Sequence, residues 1–429
     1  MSPLARIMRL SAAFLCSNLA RAGIGVGLAL VLGRGLGPDR FGAWILCTTW
    51  ASTLTIVADL GFGVLLTRDG ARDDTDPVRL LTGALAWRLA LVLAPACALA
   101  AAASVLSSDA ETIGALRVAA LLGVAGAAYG CFGALLRSQP PWLPAVLAIE
   151  TAWLAVQVAA SWWLVATGHG LVALVTLAAA LQLAQIASAL ALWRPIFGAR
   201  RAPTRPSPEL VPLLRRAWPF ALSGIVANLH QRVGPLMLGV LATPSELGWF
   251  GAAARIGRAA KLAPQAIFAG ALPVLSREYG RDRTEAQRVS HMLDRALAAL
   301  SAAVALACAL GAPLLMRLLY GAQFAAAAPT LVWVAIGLIP ALSNSGRKIF
   351  LYAAGGEALV VKWSAVALLL QVACGALLIP SLGSVGAAIS IAVAEAIVWL
   401  PLQHADPQKV RLKADATCVQ VPSVRGVRL

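Results

Sequence analysis

Charged residues are scarce in this sequence of 429 residues. Only 13% are Asp, Glu, Lys or Arg, against roughly 25% in a soluble domain, and 60% are hydrophobic. This composition excludes a disordered chain and argues against a large soluble enzyme. Acidic residues are the scarcer kind, with 19 Asp and Glu against 35 Lys and Arg, so the net charge is +16. In a soluble protein such an excess would indicate nucleic-acid binding, so its meaning depends on where the cations lie.

Metal-binding and disulfide patterns are also missing. The seven cysteines form no C-x-x-C pair, and the four histidines show no ligand spacing. No hydrophilic segment exceeds 30 residues, and a segment of that length is too short to form a soluble catalytic domain. The sequence therefore predicts a protein that is not an enzyme, with no catalytic residues, no metal site and no cofactor.

Long apolar runs dominate the sequence instead. A helix needs about 20 mostly apolar residues to cross the ~30 Å hydrocarbon core of a bilayer. The first run is too long for a cleaved signal peptide and contains Asn18 and Arg21. We predict an all-α integral membrane protein of about twelve transmembrane helices, near residues 11–33, 41–66, 80–103, 113–136, 144–167, 171–193, 217–241, 245–275, 296–316, 326–353, 358–380 and 384–402.

The loops between these runs predict the orientation, because Lys and Arg near span ends stay on the cytoplasmic side. With the N-terminus inside, the cytoplasmic segments hold 22 of the 35 Lys and Arg residues, and the outer loops hold three. This asymmetry agrees with an even number of crossings. We therefore predict that both termini are cytoplasmic.

A proline-rich basic segment, residues 194–216, divides the predicted spans six and six. We expect an N-terminal six-helix lobe over 1–193, a basic cytoplasmic linker over 194–216, a C-terminal six-helix lobe over 217–402 and a cytoplasmic tail over 403–429. Residues 14–44 align with 220–250 without a gap, and the match includes a shared Pro-x-x-x-Gly that begins at Pro38 and at Pro244. A parallel repeat of this kind indicates a transporter whose binding site lies between its two halves.

The same hairpin carries a resemblance to a known family. The segment Leu32–Gly42 (LGRGLGPDRFG), followed by Asp59–Gly63 (DLGFG), resembles the opening of the polysaccharide-transport flippases, the Wzx-type O-antigen and exopolysaccharide exporters of the MOP superfamily. The second half adds segments similar to the family's seventh and eighth spans: Pro219–Gly224, Gly248–Arg255 and Ala271–Arg277. One departure is that Arg232 is followed by Val233-Gly234-Pro235, where the family often has an acid.

Ten Lys and Arg residues lie inside the predicted spans, and the deepest of them are the candidate binding residues. A cation at mid-membrane costs about 2.5–3.5 kcal/mol on insertion scales, so such residues line a wet cavity or pair with acids. Arg255, Arg258 and Lys261 recur every three residues and share one helix face. With Arg232 and Arg21 they predict a cationic central cavity that suits phosphate oxygens. For Arg21 and for Arg232 alone, pairing with one acid is an equally good interpretation.

Three acids within the spans, Asp59, Glu150 and Glu395, are candidates for ion coupling. Asp59 lies near the glycine-rich cytoplasmic end of its predicted span, where a helix stop or an ion pair is a commoner role than carrying a proton. The sequence leaves open whether any of the three titrates during transport.

The resemblance implies a function. We expect a flippase that moves a polyprenyl-diphosphate-linked oligosaccharide across the bacterial inner membrane for surface polysaccharide biosynthesis, such as O-antigen of lipopolysaccharide or exopolysaccharide. The expected partners are that substrate, membrane lipids, a polysaccharide polymerase and a chain-length regulator, without nucleic acid. Alternatives are a lipid II flippase, which usually has two further spans, and a drug/cation antiporter, which would place carboxylates at its centre. A membrane scaffold or an embedded transferase would give the deep cations no purpose.

Overall fold

The computed structural model describes residues 3–72, 75–198, 210–260, 283–353 and 356–404. Within these ranges the chain forms eleven α-helices and one short 3₁₀ helix, and no strand. The helices are α1 (Pro3–Val57), α2 (Phe62–Gly70), α3 (Pro77–Leu106), α4 (Ala110–Arg137), α5 (Leu143–Ala166), α6 (Leu171–Phe197), α7 (Leu210–Leu241), α8 (Pro244–Ala260), α9 (Arg283–Tyr320), α10 (Ala328–Ala353) and α11 (Glu357–Gln403), with the 3₁₀ helix at Ala322–Ala327.

Eight of the helices in the described ranges are long and apolar enough to cross a membrane. Two of these are much longer than one crossing requires, with 55 residues in α1 and 47 in α11. Each contains one kink at a glycine with positive φ, at Gly37 (φ 75°) and at Gly383 (φ 55°). A side chain would be strained at both positions. The kinks lie where the sequence predicted breaks between spans, and the expected total of twelve stays a prediction.

The end of α1 differs from expectation. The apolar run predicted a helix as far as residue 66, but α1 ends at Val57 and a separate short helix, α2, begins at Phe62. Leu60 and Gly61 between them adopt positive φ angles of 37° and 85°, which a right-handed helix excludes. Hydropathy averaged over the run did not locate this turn, because its single charged residue, Asp59, is flanked by apolar residues on both sides.

Aspartates mark the start of two helices. Asp76 accepts hydrogen bonds from the backbone N–H groups of Val78 and Arg79, and Pro77 occupies the first turn of α3, where its missing N–H costs nothing. Asp109 accepts from the N–H of Thr112 at 2.9 Å and so caps α4. These side chains stabilise helix ends whose N–H groups otherwise have no partner.

In the middle of α9, leucines face outward and alanines pack inside the molecule. On α9, Leu306, Leu310 and Leu314 are 61%, 78% and 61% exposed, whereas Ala305 and Ala312 on the opposite face are buried. In water this exposed stripe would be unfavourable, but in a bilayer it faces hydrocarbon. At this part of α9 the small side chains allow close approach of the neighbouring helices.

The two Pro-x-x-x-Gly motifs of the predicted repeat pack directly against each other. A Cβ on Gly42 would overlap the carbonyl oxygen of Pro244, and a Cβ on Gly248 would overlap that of Pro38. This reciprocal contact brings the second segment of α1 (residues 38–57) against α8. Only glycine permits this approach of the two backbones, which positions α8 beside the cavity described next.

Candidate functional site

A cavity of about 310 Å³ lies between the second segment of α1, α7 and α8. We call it the central cavity. Three arginines line it, Arg232 from α7 and Arg255 and Arg258 from α8. The facing wall is α1, which contributes hydroxyl groups, and the remaining lining residues are mostly small or neutral: Ile45, Thr48, Thr49, Ser52, Gln231, Pro235, Phe250, Gly251 and Ala254.

The sequence of α8 explains how two of these guanidinium groups reach one space. Arg255 and Arg258 are three residues apart, so they project from the same face of the helix. Gly251 and Ala254 on the same wall have small side chains and leave the volume open. Arg255 and Arg258, two of the three cations expected on this helix face, therefore line the same cavity. The third cation, Lys261, lies outside the described residues.

Two of the three arginines, Arg232 and Arg255, donate hydrogen bonds to neutral groups. Arg232 donates from Nη1 to Ser52 Oγ at 3.0 Å, and its Nε is buried without a partner. Arg255 donates from Nη1 to the carbonyl oxygen of Gly25 at 3.0 Å. In the described part of the chain, no Asp or Glu lies within salt-bridge distance of any of the three.

Three guanidinium groups without an acid make the central cavity strongly cationic. A guanidinium group that faced lipid would cost about 2.5–3.5 kcal/mol. The open volume between the helices explains how three such groups are accommodated inside the fold. Unused N–H donors remain on all three side chains, since a guanidinium has five. Their planar forks match the oxygen pairs of phosphate or carboxylate. The arrangement is suited to hold an anion.

Arg21 lies in a second cavity rather than among these three. This N-terminal cavity, of about 490 Å³, adjoins the central cavity, and both include Thr48, Ser52 and Arg232 in their walls. Arg21 Nη1 donates to Glu150 Oε2 at 2.9 Å. The ion-pair interpretation of Arg21 thus agrees with the structure, while its assignment as a substrate-binding residue remains a prediction.

Glu150 is shared by further donors in the N-terminal cavity. Its Oε1 accepts a hydrogen bond from the hydroxyl of Tyr129 at 2.7 Å and another from Arg137 Nη1. The carboxylate is 4% exposed, so it is stabilised by two guanidinium groups and a phenol from α1 and α4. The sequence had not indicated Arg137 or Tyr129 as functional, because their partner lies on another helix.

The other two candidate ion-coupling acids are also paired. Asp59 forms a salt bridge with Arg88, whose side chain is only 3% exposed. Glu395 accepts a hydrogen bond from Asn344 at 2.7 Å, and His230 Nε2 lies 3.3 Å from its other oxygen. All three acids therefore have structural partners, and their role in ion coupling stays a prediction.

The hydroxyl groups of α1 are lining residues that the sequence reasoning missed. Thr48, Ser52 and Thr55 recur at i, i+4 and i+7 and line one or both cavities. The signal was present in the sequence as a threonine- and serine-rich stretch inside a predicted span. Hydroxyl side chains do not stand out in such a span, because their cost in a membrane is far smaller than that of a charge.

The fold is shared by solved membrane transporters. A multidrug resistance MATE family transporter of the MOP superfamily in its inward-facing conformation is 14% identical, with 96% of each chain covered and a TM-score of 0.65. The lipid II flippase MurJ is 13% identical, with 92% of this chain and 86% of that chain covered and a TM-score of 0.68. A MOP superfamily transporter from Pyrococcus furiosus is 16% identical, with 94% and 96% covered and a TM-score of 0.61.

These similarities and the apolar helices define the class of protein: a multi-pass membrane protein with the all-helical fold of MOP superfamily transporters and flippases. Residues 9–279 match the sequence profile of the family described as "Polysaccharide biosynthesis protein", which is more than half of the chain. The chain belongs to that family. No curated protein matches the sequence. The solved structures with this fold are transporters and flippases.

Proposed function

We propose that the protein translocates a polyprenyl-diphosphate-linked oligosaccharide from the cytoplasmic to the outer leaflet of a bacterial inner membrane. Membership of the polysaccharide biosynthesis family supports a role in surface polysaccharide assembly. The observation that carries the proposal is the grouping of Arg232, Arg255 and Arg258 around one cavity whose described lining residues include no acid. A diphosphate is the part of such a substrate that these guanidinium groups would bind.

The proposed mechanism is alternating access between two lobes, residues 1–193 and 217–402, with both termini cytoplasmic. The diphosphate enters the central cavity while the lipid tail stays in the bilayer, and the lobes then rock about their junction. An inside-negative potential assists outward movement of negative charge by roughly 2.3 kcal/mol per charge per 100 mV. The packing of Gly42 against Pro244 and of Gly248 against Pro38 supports a junction close to the cavity.

The proposal is tested by replacing the arginines in reconstituted protein. We expect Arg255→Ala and Arg258→Ala each to reduce translocation of a fluorescent polyprenyl-diphosphate-linked sugar in proteoliposomes by about tenfold or more. The reason is that a hydrogen bond to a charged group contributes about 1.5–3 kcal/mol, and tenfold corresponds to about 1.4 kcal/mol. Arg258→Lys keeps the charge but loses the fork, so its loss should be smaller.

Arg117→Ala is the matched control, because Arg117 is exposed on α4 and lines none of the cavities described above. It should translocate at the wild-type rate. Wild-type rates in both cavity variants, with the protein inserted in equal amounts, would show that the central cavity does not bind the diphosphate.

The cationic cavity also separates this proposal from a drug/cation antiporter, which would need acids at its centre to attract a cation. Lipid II has the same polyprenyl diphosphate and would contact the same arginines. The two flippase functions are therefore distinguished by the glycan, using competition between lipid II and other lipid-linked sugars in the same proteoliposomes. Export of an organic cation, unaffected by Arg255→Ala, would contradict the proposal.

A further inference from the structure

The N-terminal cavity differs from the central cavity in the kind of polar group that lines it. Gln182 and Gln185 of α6 contribute amides, and Thr48, Ser52 and Thr55 of α1 contribute hydroxyls. The two glutamines are three residues apart on one helix face, and their mutual hydrogen bond is long, at 3.4 Å. Because each amide has two donors and a carbonyl oxygen, most of their hydrogen-bonding capacity is open to a ligand.

The hydroxyl groups on the facing helix have a similar capacity. Thr48 donates to the carbonyl oxygen of Trp44 at 2.9 Å, and Thr55 donates to that of Ala51 at 3.1 Å. The hydroxyl hydrogens of Thr48 and Thr55 are used in these bonds, but both hydroxyl oxygens can still accept a hydrogen bond from a ligand. The walls contributed by α1 and α6 therefore offer neutral donors and acceptors.

Glu150 offsets only part of the positive charge in the N-terminal cavity, which Arg21, Arg137 and Arg232 line. Glu150 pairs with both Arg21 and Arg137, so the group as a whole carries one net positive charge instead of two. Its carboxylate is buried, and releasing either arginine to bind an anion would leave this acid with one fewer partner. A diphosphate is therefore better accommodated by the three arginines of the central cavity, which have no acid to release.

The two cavities adjoin each other in a way that suits one ligand with two chemical parts. Thr48, Ser52 and Arg232 belong to the walls of both. The N-terminal cavity, at about 490 Å³, falls in the range of small-molecule sites, roughly 300–1,000 Å³. Sugars present many hydroxyl groups, each a donor and an acceptor, and amides and hydroxyls are their natural complement.

We propose that the N-terminal cavity is a carbohydrate subsite, in which Gln182 and Gln185 hydrogen-bond the sugar attached to the diphosphate held in the central cavity. This inference rests on the proposed function and adds to it a separate place for the glycan. In this proposal Arg21 and Arg137 hold Glu150 and the cavity wall in position. Arg232, Arg255 and Arg258 bind the phosphate groups.

The test measures binding of matched ligands to the full-length protein in lipid nanodiscs. The probes are a short-chain polyprenyl diphosphate without sugar and the same lipid carrying glucose, galactose or N-acetylglucosamine. We expect at least one sugar to tighten binding by about tenfold in the wild-type protein, as a few neutral hydrogen bonds would. Gln182→Ala and Gln185→Ala should each reduce that gain by threefold or more and leave the affinity for the sugar-free lipid within twofold.

Two comparisons make the result specific. Arg255→Ala should weaken the sugar-free and the sugar-bearing lipid by the same factor, because it removes a phosphate contact. Gln323→Ala is the matched control, since Gln323 is an exposed glutamine beside Gly37 and lines neither cavity. Thermal unfolding midpoints of all variants, measured in the same nanodiscs, should lie close to that of the wild type.

The two possible failures are distinguishable. If no sugar in the panel tightens binding, or if the glutamine variants keep the full gain, the carbohydrate subsite is wrong although diphosphate binding stands. If the sugar-free diphosphate does not bind, or binds independently of Arg255, the proposed function itself is wrong and the subsite falls with it.

Discussion

Asp39 and Ser245 are hydrogen-bonded to each other, the serine hydroxyl with the aspartate carboxylate, and they stand 206 residues apart in the chain. That separation is the offset at which the two halves of the sequence align, so the two residues occupy the same position of the repeat. The neighbouring contacts of Gly42 with Pro244 and of Gly248 with Pro38 are reciprocal in the same sense. A contact between equivalent positions is the geometry expected close to a twofold axis.

The packing of the two glycine motifs predicts a strong response to one added methyl group. Gly42→Ala and Gly248→Ala place a Cβ on the opposing backbone carbonyl, which cannot move without shifting a helix. Overpacking of this kind costs about 1–3 kcal/mol. We expect each variant to lower the midpoint of thermal unfolding in detergent, and the pair together to lower it further.

Gly27→Ala is the control for that experiment, because a Cβ at Gly27 meets nothing within 4 Å. Alanine favours a helix by up to about 1 kcal/mol over glycine, so this variant should unfold at the wild-type temperature or slightly above. Equal midpoints for Gly42→Ala and Gly27→Ala would contradict the close contact of the two motifs.

Loss of Asp59 and loss of Arg88, which form an ion pair, should destabilise the protein by different amounts. Arg88 is 3% exposed and Asp59 is 36% exposed, so losing Asp59 leaves a buried cation, whereas losing Arg88 leaves a carboxylate that water can reach. We expect Asp59→Ala to destabilise the protein more than Arg88→Met, in which an apolar chain fills the vacated volume.

The double variant is the decisive measurement for this pair. Adding Arg88→Met to Asp59→Ala should recover stability, because it removes the unpaired charge. Thermal unfolding of the four proteins of the cycle, measured in detergent, gives the coupling between the two sites. Simple addition of the two destabilisations would show that the ion pair does not contribute to folding.

Substitutions of Glu150 and of its hydrogen-bond donor Tyr129 should destabilise the protein to different degrees. Glu150→Gln removes the charge that holds Arg21 and Arg137, and we expect it to destabilise the protein by about 1–3 kcal/mol. This is less than for fully buried pairs, because the two arginine side chains are 42% and 32% exposed. Tyr129→Phe removes one hydrogen bond to the same carboxylate and should cost less than Glu150→Gln in the same unfolding assay.

The stability that Asp109 gives to the start of α4 should depend on pH. Hydrogen bonds from the hydroxyl and the N–H of Thr112 hold the pKa of Asp109 below its ordinary value of 3.8. The capping contribution should therefore be complete above the ordinary pKa and disappear as the pH falls through the lower folded-state pKa. Asp109→Ala should cost about 1 kcal/mol at neutral pH.

Asp109→Asn separates the capping effect from the titration. Asparagine caps a helix about as well as aspartate but has no proton to bind, so this variant should stay close to the wild-type stability at neutral pH. Unfolding midpoints measured from pH 7 downward should show a decline for the wild type that Asp109→Asn lacks at this site. Equal stability of Asp109→Ala and wild type at neutral pH would exclude a capping role.

Much of the architecture could be predicted from the sequence because a bilayer imposes length and composition on a helix. The apolar runs located some long helices to within a few residues, as for Leu143–Ala166 against a predicted 144–167, but α9 begins at Arg283 against a predicted 296. Arg232, Arg255 and Arg258 line one cavity, and their assignment as substrate-binding residues stays a prediction. The turn at Leu60–Gly61 was not located by the averaged hydropathy of the run, although a helix stop was one interpretation of the adjacent Asp59.

The sequence by itself determined that the chain crosses a membrane in many apolar helices and that a few cations lie too deep to face lipid. Only the tertiary structure decided which of those cations are paired: Arg21 meets Glu150, 129 residues away, whereas Arg232 meets a serine. The physical reason is that a helix in a bilayer is apolar toward both lipid and protein. Its sequence pattern therefore does not reveal which face turns inward, and packing against its neighbours sets that rotation.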